Sequence, residues 1–179
     1  MTKSKTVELR PTPEPVATGN AEQLALAPRW LICGCRTFQQ PAVVNTRMNV
    51  LLAAHRTSGA PDPVIVHGAA RGADTLGGAW GLRMGLVVEA YPADWGTHDR
   101  AAGPIRNQQM LDSGIDFGVA FYDRPFWASA GTSDMVRKLT NAGVPGVLYF
   151  GVQAPQRTYD KRLVALRNAH LATLSGVAG

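Results

Sequence analysis

Residues Val66-His67-Gly68-Ala69-Ala70-Arg71-Gly72-Ala73-Asp74-Thr75 read VHGAARGADT. An apolar run, PVIV (63–66), leads into them, and a run without proline, TLGGAWGLRM (75–84), leads out. The first has the look of a buried strand and the second of a helix. The turn between them is built almost wholly from residues with little or no side chain. Either the chain packs against itself too closely there for larger groups, or something outside the chain must approach the backbone.

The second alternative has a definite chemistry. A helix N-terminus presents unpaired N–H groups and a partial positive charge, and phosphate binds there readily. Close approach requires that no Cβ stand in the way, which glycine guarantees and alanine nearly does. Gly68 to Ala73 meets that requirement, and Arg71 adds a planar cation suited to phosphate or carboxylate. Asp74 falls in the first turn of the following helix, where a carboxylate is favourable as a cap and is also placed to meet a ribose hydroxyl. The stretch is neither a G-x-G-x-x-G dinucleotide fingerprint nor a P-loop, since no G-K-[ST] follows. A tight turn with Arg71 in solvent explains the same residues without any ligand.

Outward from this turn, apolar runs and helical patterns alternate. Arg29 to Gly34 reads as a first buried strand, about 41–58 as a helix, and Pro63 to His67 as the second strand. About 75–84 reads as the second helix, Leu86 to Tyr91 as the third strand, and Pro92 to Arg100 as an irregular loop. Pro104 to Leu111 reads as a short helix with proline in its first turn. Ile115 to Tyr122 is the fourth strand, Met135 to Ala142 a helix opened by Gly131-Thr132-Ser133-Asp134, and Val144 to Phe150 the fifth strand. Short continuous apolar strands alternating with helices predict an α/β fold. Its expected form is a Rossmann-like parallel sheet of about five strands with helices on both faces. Residues 1–28, rich in Pro, Thr and Glu, read as a disordered arm. Residues 29–150 read as the domain, and 151–179 as a basic amphipathic helix packed on or near it, with Leu163, Leu166, His170, Leu171 and Leu174 on one side.

In such a sheet, ligands bind outside the carboxyl ends of the strands. The unusual sequence falls at those ends: Gly34-Cys35-Arg36, the turn 67–72, Pro92-Ala93-Asp94-Trp95, Asp123-Arg124 and the approach to Gly131-Thr132. Gly131-Thr132-Ser133 offers a second small-residue helix start, with Thr132 or Ser133 available as a cap. Arg106 lies in a first helical turn, where the dipole disfavours a cation, so an anionic partner or a surface ion pair is expected. Trp95, Tyr122 and Trp127 border the same edge and can stack on a base. Trp30, Trp80, His55 and His170 read as core or boundary residues. Asp94, His98 and Asp99 share one loop, where Asp94 is expected to order the chain.

The composition narrows the classes. Of 179 residues, 45% are hydrophobic, enough for a real core. No apolar run approaches the roughly 18 residues of a membrane span, and MTKSKTVELRPTPEP lacks the apolar centre of a signal peptide. A cytoplasmic protein with no membrane partner is expected. Cys33 and Cys35 are too close for an ordinary disulfide and have no zinc-spaced partners, so no metal is expected. The net charge is +5. The arm 1–28 is balanced, residues 29–150 carry +2 and residues 151–179 carry +3. This is far from the dense basic stripe of a dedicated nucleic-acid binder.

Five motifs occur in order: Cys33-Gly34-Cys35-Arg36, His67 to Asp74, Tyr91-Pro92-Ala93-Asp94-Trp95, Ala102-Gly103-Pro104-Ile105-Arg106-Asn107 and Gly131-Thr132-Ser133-Asp134-Met135. Together they resemble the SLOG superfamily, most closely its small bacterial and phage branch related to YspA. The resemblance covers about residues 30–150 and implies a Rossmann-like fold that binds nucleotides or nucleotide-derived ligands. With the strand ends, it points to a ligand-binding set of Gly34, Arg36, Gly68, Ala69, Arg71, Gly72, Asp74, Asp94, Trp95, Arg106, Asn107, Gly131, Thr132 and Ser133.

Two kinds of relative suggest different activities. The LOG phosphoribohydrolases use a P-G-G-x-G-T-x-x-E signature whose Glu is catalytic. Matching Gly131-Thr132 to its G-T puts Met135 in the place of that Glu, and a methionine can neither stabilise an oxocarbenium ion nor activate water. Glu89 is the replacement carboxylate if it faces the pocket. The DNA-processing protein A family, which binds single-stranded DNA, carries an A-R-G-I-D stretch similar to Ala70-Arg71-Gly72-Ala73-Asp74. The expectation is a sensor or sequestering module for a nucleotide-like ligand, with no separate cofactor. Its alternatives are a nucleoside 5'-monophosphate N-glycosidase and a single-stranded DNA binder, and a homo-oligomer is left open.

Overall fold

The computed structural model describes residues 26–124 and 128–151. Five parallel strands make one sheet: β1 Arg29–Gly34, β2 Val64–His67, β3 Val88–Ala90, β4 Phe117–Tyr122 and β5 Gly146–Phe150, in the order β3-β2-β1-β4-β5. The helices are α1 Pro41–Arg56, α2 Ala73–Arg83, the single turn α3 Trp95–His98, α4 Ala102–Asp112 and α5 Ala130–Asn141, with a 3-10 turn at Asp99–Ala101 between α3 and α4. The expected α/β fold with a five-stranded parallel sheet is the one observed.

The strands lack a polar face because both sides of the sheet are covered. All six residues of β4 are buried, as are the middle four of β1. Along one face, β1, β2 and β3 present Ile32, Ile65 and Val88 to α2. At the β4 end of that face, Phe38 packs on Phe121, which stacks on Tyr149. On the opposite face, Leu139 of α5 sits over Gly118 of β4. Trp80 is buried in the core and donates its indole N–H to Asn49 of α1 at 2.8 Å. Trp30 is also core, edge-on to His55, whose Nε2 lies 2.8 Å from the Pro61 carbonyl.

Several element boundaries differ from the sequence reading, for physical reasons. Helix α2 starts at Ala73 rather than about 75, and α5 at Ala130 rather than 135. Small and hydroxyl residues favour caps over helix interiors, yet Gly131, Thr132 and Ser133 lie inside α5, because tertiary bonds hold its first turn. The segment expected as an irregular loop contains α3, whose N-terminus is capped by Asp94 accepting the Thr97 N–H at 3.0 Å. The domain reaches back into the last residue of the expected arm: Pro28 O accepts the Val64 N–H at 2.9 Å, while Leu26 is exposed. Residues 1–25, Trp127 and the segment 156–174 lie outside the described residues. No helix among the described residues is long and apolar enough to cross a membrane.

Helix α2 carries Gly77, Gly78 and Gly81, a composition unfavourable to an isolated helix. The glycines let it lie directly on the sheet: a Cβ added at Gly77 would stand 2.5 Å from Ile32 Cγ2, and one at Gly81 would stand 2.9 Å from Val88 Cγ2. Replacing Gly77 by alanine sets a gain of about 1 kcal/mol in helix propensity against about 1–3 kcal/mol for overpacking a filled core. Because Ile32 is fully buried, we expect Gly77→Ala to lower the thermal midpoint by a few degrees. A raised midpoint would mean that α2 can move off the sheet at little cost.

Candidate functional site

A cleft of about 370 Å³ opens at the carboxyl edge of the sheet, within the size range of small-molecule sites. It lies where β1 and β4 are neighbours although neither follows the other in sequence. The loops leaving these strands diverge at such a switch point, and their divergence makes the crevice. Cys33 and Gly34 form one end of its lining, Arg106, Asn107 and Met110 of α4 one wall, and Ala130, Gly131, Thr132 and Met135 of α5 another. Arg36, Trp95, Arg100 and the buried Asp74 are also among its lining.

The turn after β2 is locked from within. Asp74 is 5% exposed, and its Oδ2 accepts the N–H groups of Gly68 at 3.0 Å and Ala70 at 3.3 Å. The Ala69 N–H goes to His67 Nδ1 at 3.1 Å, and the Thr75 hydroxyl donates to Ala70 O at 2.8 Å. The Ala73 N–H at the start of α2 donates to Cys35 O at 3.3 Å. The turn therefore does gather N–H groups around an anion, and that anion is the chain's own carboxylate. Gly68 is small because the guanidinium of Arg106 occupies the space a side chain would need. Gly72 has φ +84°, and the backbone of Cys35 and Arg36 fills the side-chain position. Close self-packing thus accounts for the missing side chains at Gly68 and Gly72, the first of the two explanations the sequence offered for this turn.

Arg106 joins the turn to α4. Its Nη1 donates to Gly68 O and lies 3.9 Å from Asp74 Oδ2, and its Nε donates to Asn107 Oδ1 at 3.1 Å. Asn107 Nδ2 then donates to Gly131 O at 3.1 Å and to Asp134 Oδ2 at 3.0 Å, fixing the first turn of α5. Burial raises the pKa of Asp74 to about 6 despite the opposing pull of Arg106 and the two backbone N–H groups. Burial also lowers that of His67, assisted by the charge of Arg106, which keeps its Nδ1 free to accept. For Asp134, burial is outweighed by hydrogen bonds from Asn107, Lys138 and Arg137, and its pKa is lowered. Burial raises that of the Cys33 thiol, reinforced by Asp74, so it is not a reactive thiolate.

Of the residues singled out in the sequence, Gly34, Arg36, Asp74, Trp95, Arg106, Asn107, Gly131 and Thr132 meet at the cleft. The others stand elsewhere. Arg71 and Ala69 are exposed outside the lining, and Asp94 is an exposed cap of α3. Ser133 lies in α5 without lining the cleft, and neither it nor Thr132 caps the helix; the cap position belongs to Ser129, whose Oγ lies 2.8 Å from Thr132 Oγ1. Glu89 does not line the cleft. Arg29 holds it through Nη1 at 2.9 Å and Nη2 at 2.5 Å, and Tyr91 through its hydroxyl at 3.2 Å, which removes it as a replacement catalytic carboxylate. Tyr122 is fully buried and offers no ring to a ligand. Arg100 and Asp134 were missed by the sequence reading. The four-residue spacing of Asp134 and Lys138 was a visible signal for the latter, whereas nothing local marks Arg100.

Folding disfavours ionisation of Asp74 relative to the unfolded chain, because its folded pKa lies above the ordinary 3.8. The associated stability is present below about pH 4 and is lost as pH rises through about 6. Compared with the unaltered protein, Asp74→Asn should therefore gain several degrees in relative thermal midpoint between pH 4 and pH 7. A gap independent of pH would contradict the buried, pH-responsive carboxylate.

A family model described as YspA, cpYpsA-related SLOG family matches residues 28–98. The Gene 61 protein of Mycobacterium phage D29 is 41% identical over 93 residues, covering 49% of this chain and 71% of that protein. The X-ray structure of DNA processing protein A (DprA) from Streptococcus pneumoniae is similar in fold, with a TM-score of 0.53 at 14% identity. The match covers 86% of this chain and 59% of DprA, so the chain spans about three fifths of that protein's length. The family match covers β1, β2 and β3 with the locked turn between them, and the phage relative is similar over most of its own length; the chain belongs to the YspA, cpYpsA-related SLOG family.

Proposed function

We propose that the cleft binds a nucleotide or nucleotide-derived phosphate ligand and that the protein serves as a sensor or sequestering module for it. The observation that carries this reading is the pairing of an aromatic platform with cations around one ligand-sized crevice. Trp95 is 51% exposed and has the Arg36 guanidinium 5.5 Å from its ring centroid, and Arg100 lines the same space. A base can stack on the indole, while Arg36, Arg100 and the amino end of α5 suit a phosphate. The carboxylates of the lining are already engaged, Asp74 by the turn and Arg106, Asp134 by Asn107, Arg137 and Lys138. They leave the cationic groups of the rim to set the preference.

A thermal-shift screen with nucleotides, dinucleotides, cyclic nucleotides and adenosine-diphosphate-ribose-type compounds tests this reading. A ligand at about 100 times its Kd adds about 2.7 kcal/mol of stability. Failure of every small compound, with tight binding of a single-stranded oligonucleotide, would favour the DNA-binding alternative. For a compound that binds, Arg36→Ala should weaken affinity by roughly 1.5–3 kcal/mol, the range for a hydrogen bond to a charged group. Arg71→Ala, outside the lining, should change it little, and a larger effect from Arg71 than from Arg36 would relocate the phosphate to the turn after β2.

Catalysis of N-glycosidic cleavage is disfavoured by chemistry at the same place. Met135 is buried in the cleft lining, in the position that the phosphoribohydrolase signature gives to a glutamate. Incubation of the purified protein with AMP should release no adenine above background. Release in excess of the protein's own concentration would refute the binding-only reading, and Asp74→Asn would then identify whether the buried carboxylate participates.

A further inference from the structure

We infer that the buried pair Asp74 and Arg106 forms a subsite for a sugar hydroxyl, so that the cleft takes ribonucleotides in preference to their deoxy counterparts. This rests on the nucleotide reading of the cleft and names the part of the ligand which that reading leaves open. Among the described residues, the buried polar or charged side chains are Asp74, Arg106, Asn107 and Thr132, and all of them line the cleft. Asn107 is fully committed, its Oδ1 to Arg106 and its Nδ2 to Gly131 and Asp134. Thr132 is paired with Ser129. Asp74 and Arg106 each keep one atom in reserve. The turn and the guanidinium meet Asp74 through Oδ2 alone. Arg106 uses Nε for Asn107 and Nη1 for Gly68 and Tyr91. Asp74 Oδ1 and Arg106 Nη2 have no partner among the described residues, and neither atom is sealed off from the cleft that both residues line.

The chemistry of the two atoms selects what can meet them. An ionised carboxylate oxygen only accepts, and a guanidinium nitrogen only donates. Asp74 is mainly ionised at neutral pH, its pKa being about 6. A group that satisfies both atoms must donate and accept at once. Water does so, and a ligand that displaces it without reproducing those bonds loses affinity. A hydroxyl reproduces them, giving its proton to Oδ1 and accepting from Nη2. A phosphate oxygen only accepts and would face the charge of the carboxylate. The guanine edge donates two N–H groups and needs both carboxylate oxygens, of which Oδ2 is taken. Depth points to the same group. Asp74 is 5% exposed and Trp95 51%, so the pair lies below the indole. Arg36 spans the two, with its guanidinium 5.5 Å from the Trp95 ring centroid and its charge acting on Asp74. In a nucleotide the sugar joins base to phosphate. A base on Trp95 and a phosphate among the cations leave the ribose hydroxyls for the buried pair.

Calorimetry on the full-length protein at slightly alkaline pH tests this with AMP, GMP, CMP and UMP, and with the 2'-deoxy and 3'-deoxy analogues of whichever binds most tightly. Removing one hydroxyl or the other should weaken binding about tenfold or more, as for a hydrogen bond to a charged group. Equal affinity for the parent and both analogues would overturn the subsite while leaving a nucleotide in the cleft. Binding by none of the four would also overturn it, and the wider thermal-shift screen would then judge the nucleotide reading separately. Asp74→Asn adds a readout that a purely structural role does not move. The Gly68 and Ala70 N–H groups hold the amide oxygen at the Oδ2 position, so the amide NH2 stands where Oδ1 was and a donor replaces an acceptor. The variant should bind the weaker deoxy analogue about as well as the unaltered protein does, and the ratio of parent to analogue should fall to within about twofold of one. Equal weakening of both compounds with the ratio kept would make Asp74 structural only and refute the assignment. The comparison of analogues on the unaltered protein stands even if the variant fails to fold.

Discussion

Asp74 accepts N–H bonds from Gly68 and Ala70, six and four residues before it, and so folds the turn after β2 back onto the helix that the aspartate itself begins. Most of the site's geometry depends on this arrangement. A carboxylate so deeply buried needs a cation nearby or it protonates, and Arg106 supplies one from α4. To reach it, the guanidinium must pass where the side chain of residue 68 would stand, which admits only glycine. Arg106 then orients Asn107, Asn107 bonds Gly131 and Asp134, and the amino end of α5 is held at the mouth of the crevice. Three segments far apart in sequence are thereby tied into one network.

The same arrangement decides which polar groups of the cleft stay unengaged by the turn. N–H groups at a strand-to-helix turn are natural anion binders, but here the protein's own carboxylate engages them. Cationic character at the cleft passes instead to Arg36 and Arg100, which come from the loops after β1 and β3, and to the first turn of α5. Trp95, lying under Arg36, is the exposed aromatic group of that lining.

Much of the fold could be read from local pattern. Five apolar runs alternating with helical segments require a covered parallel sheet, because a strand such as FGVAFY has no polar side to show to water. The rule that ligands gather at the carboxyl ends of such strands located the crevice before its walls were known, and eight of the fourteen residues singled out line it. The boundaries of α2 and α5 were harder. Glycine, serine and threonine argue locally against helix, and only the contacts of Asn107 and the close seat of α2 on Ile32 reveal why they are helical here.

The sequence by itself determined the class of the fold, the edge of the sheet at which a crevice opens, and the presence of a turn that tolerates only small residues. These follow from periodicity and from side-chain size, which are properties of neighbouring residues. The tertiary structure decided why the turn is small, since the groups that fill it, Arg106 and the Cys35–Arg36 backbone, arrive from other strands and helices. It also decided that Glu89 answers Arg29, sixty positions away, rather than the cleft, and that Arg100 rather than Arg71 shares the crevice with Arg36. Which side chains face one another across a sheet depends on strand order, here β3-β2-β1-β4-β5, and local pattern carries no record of that order.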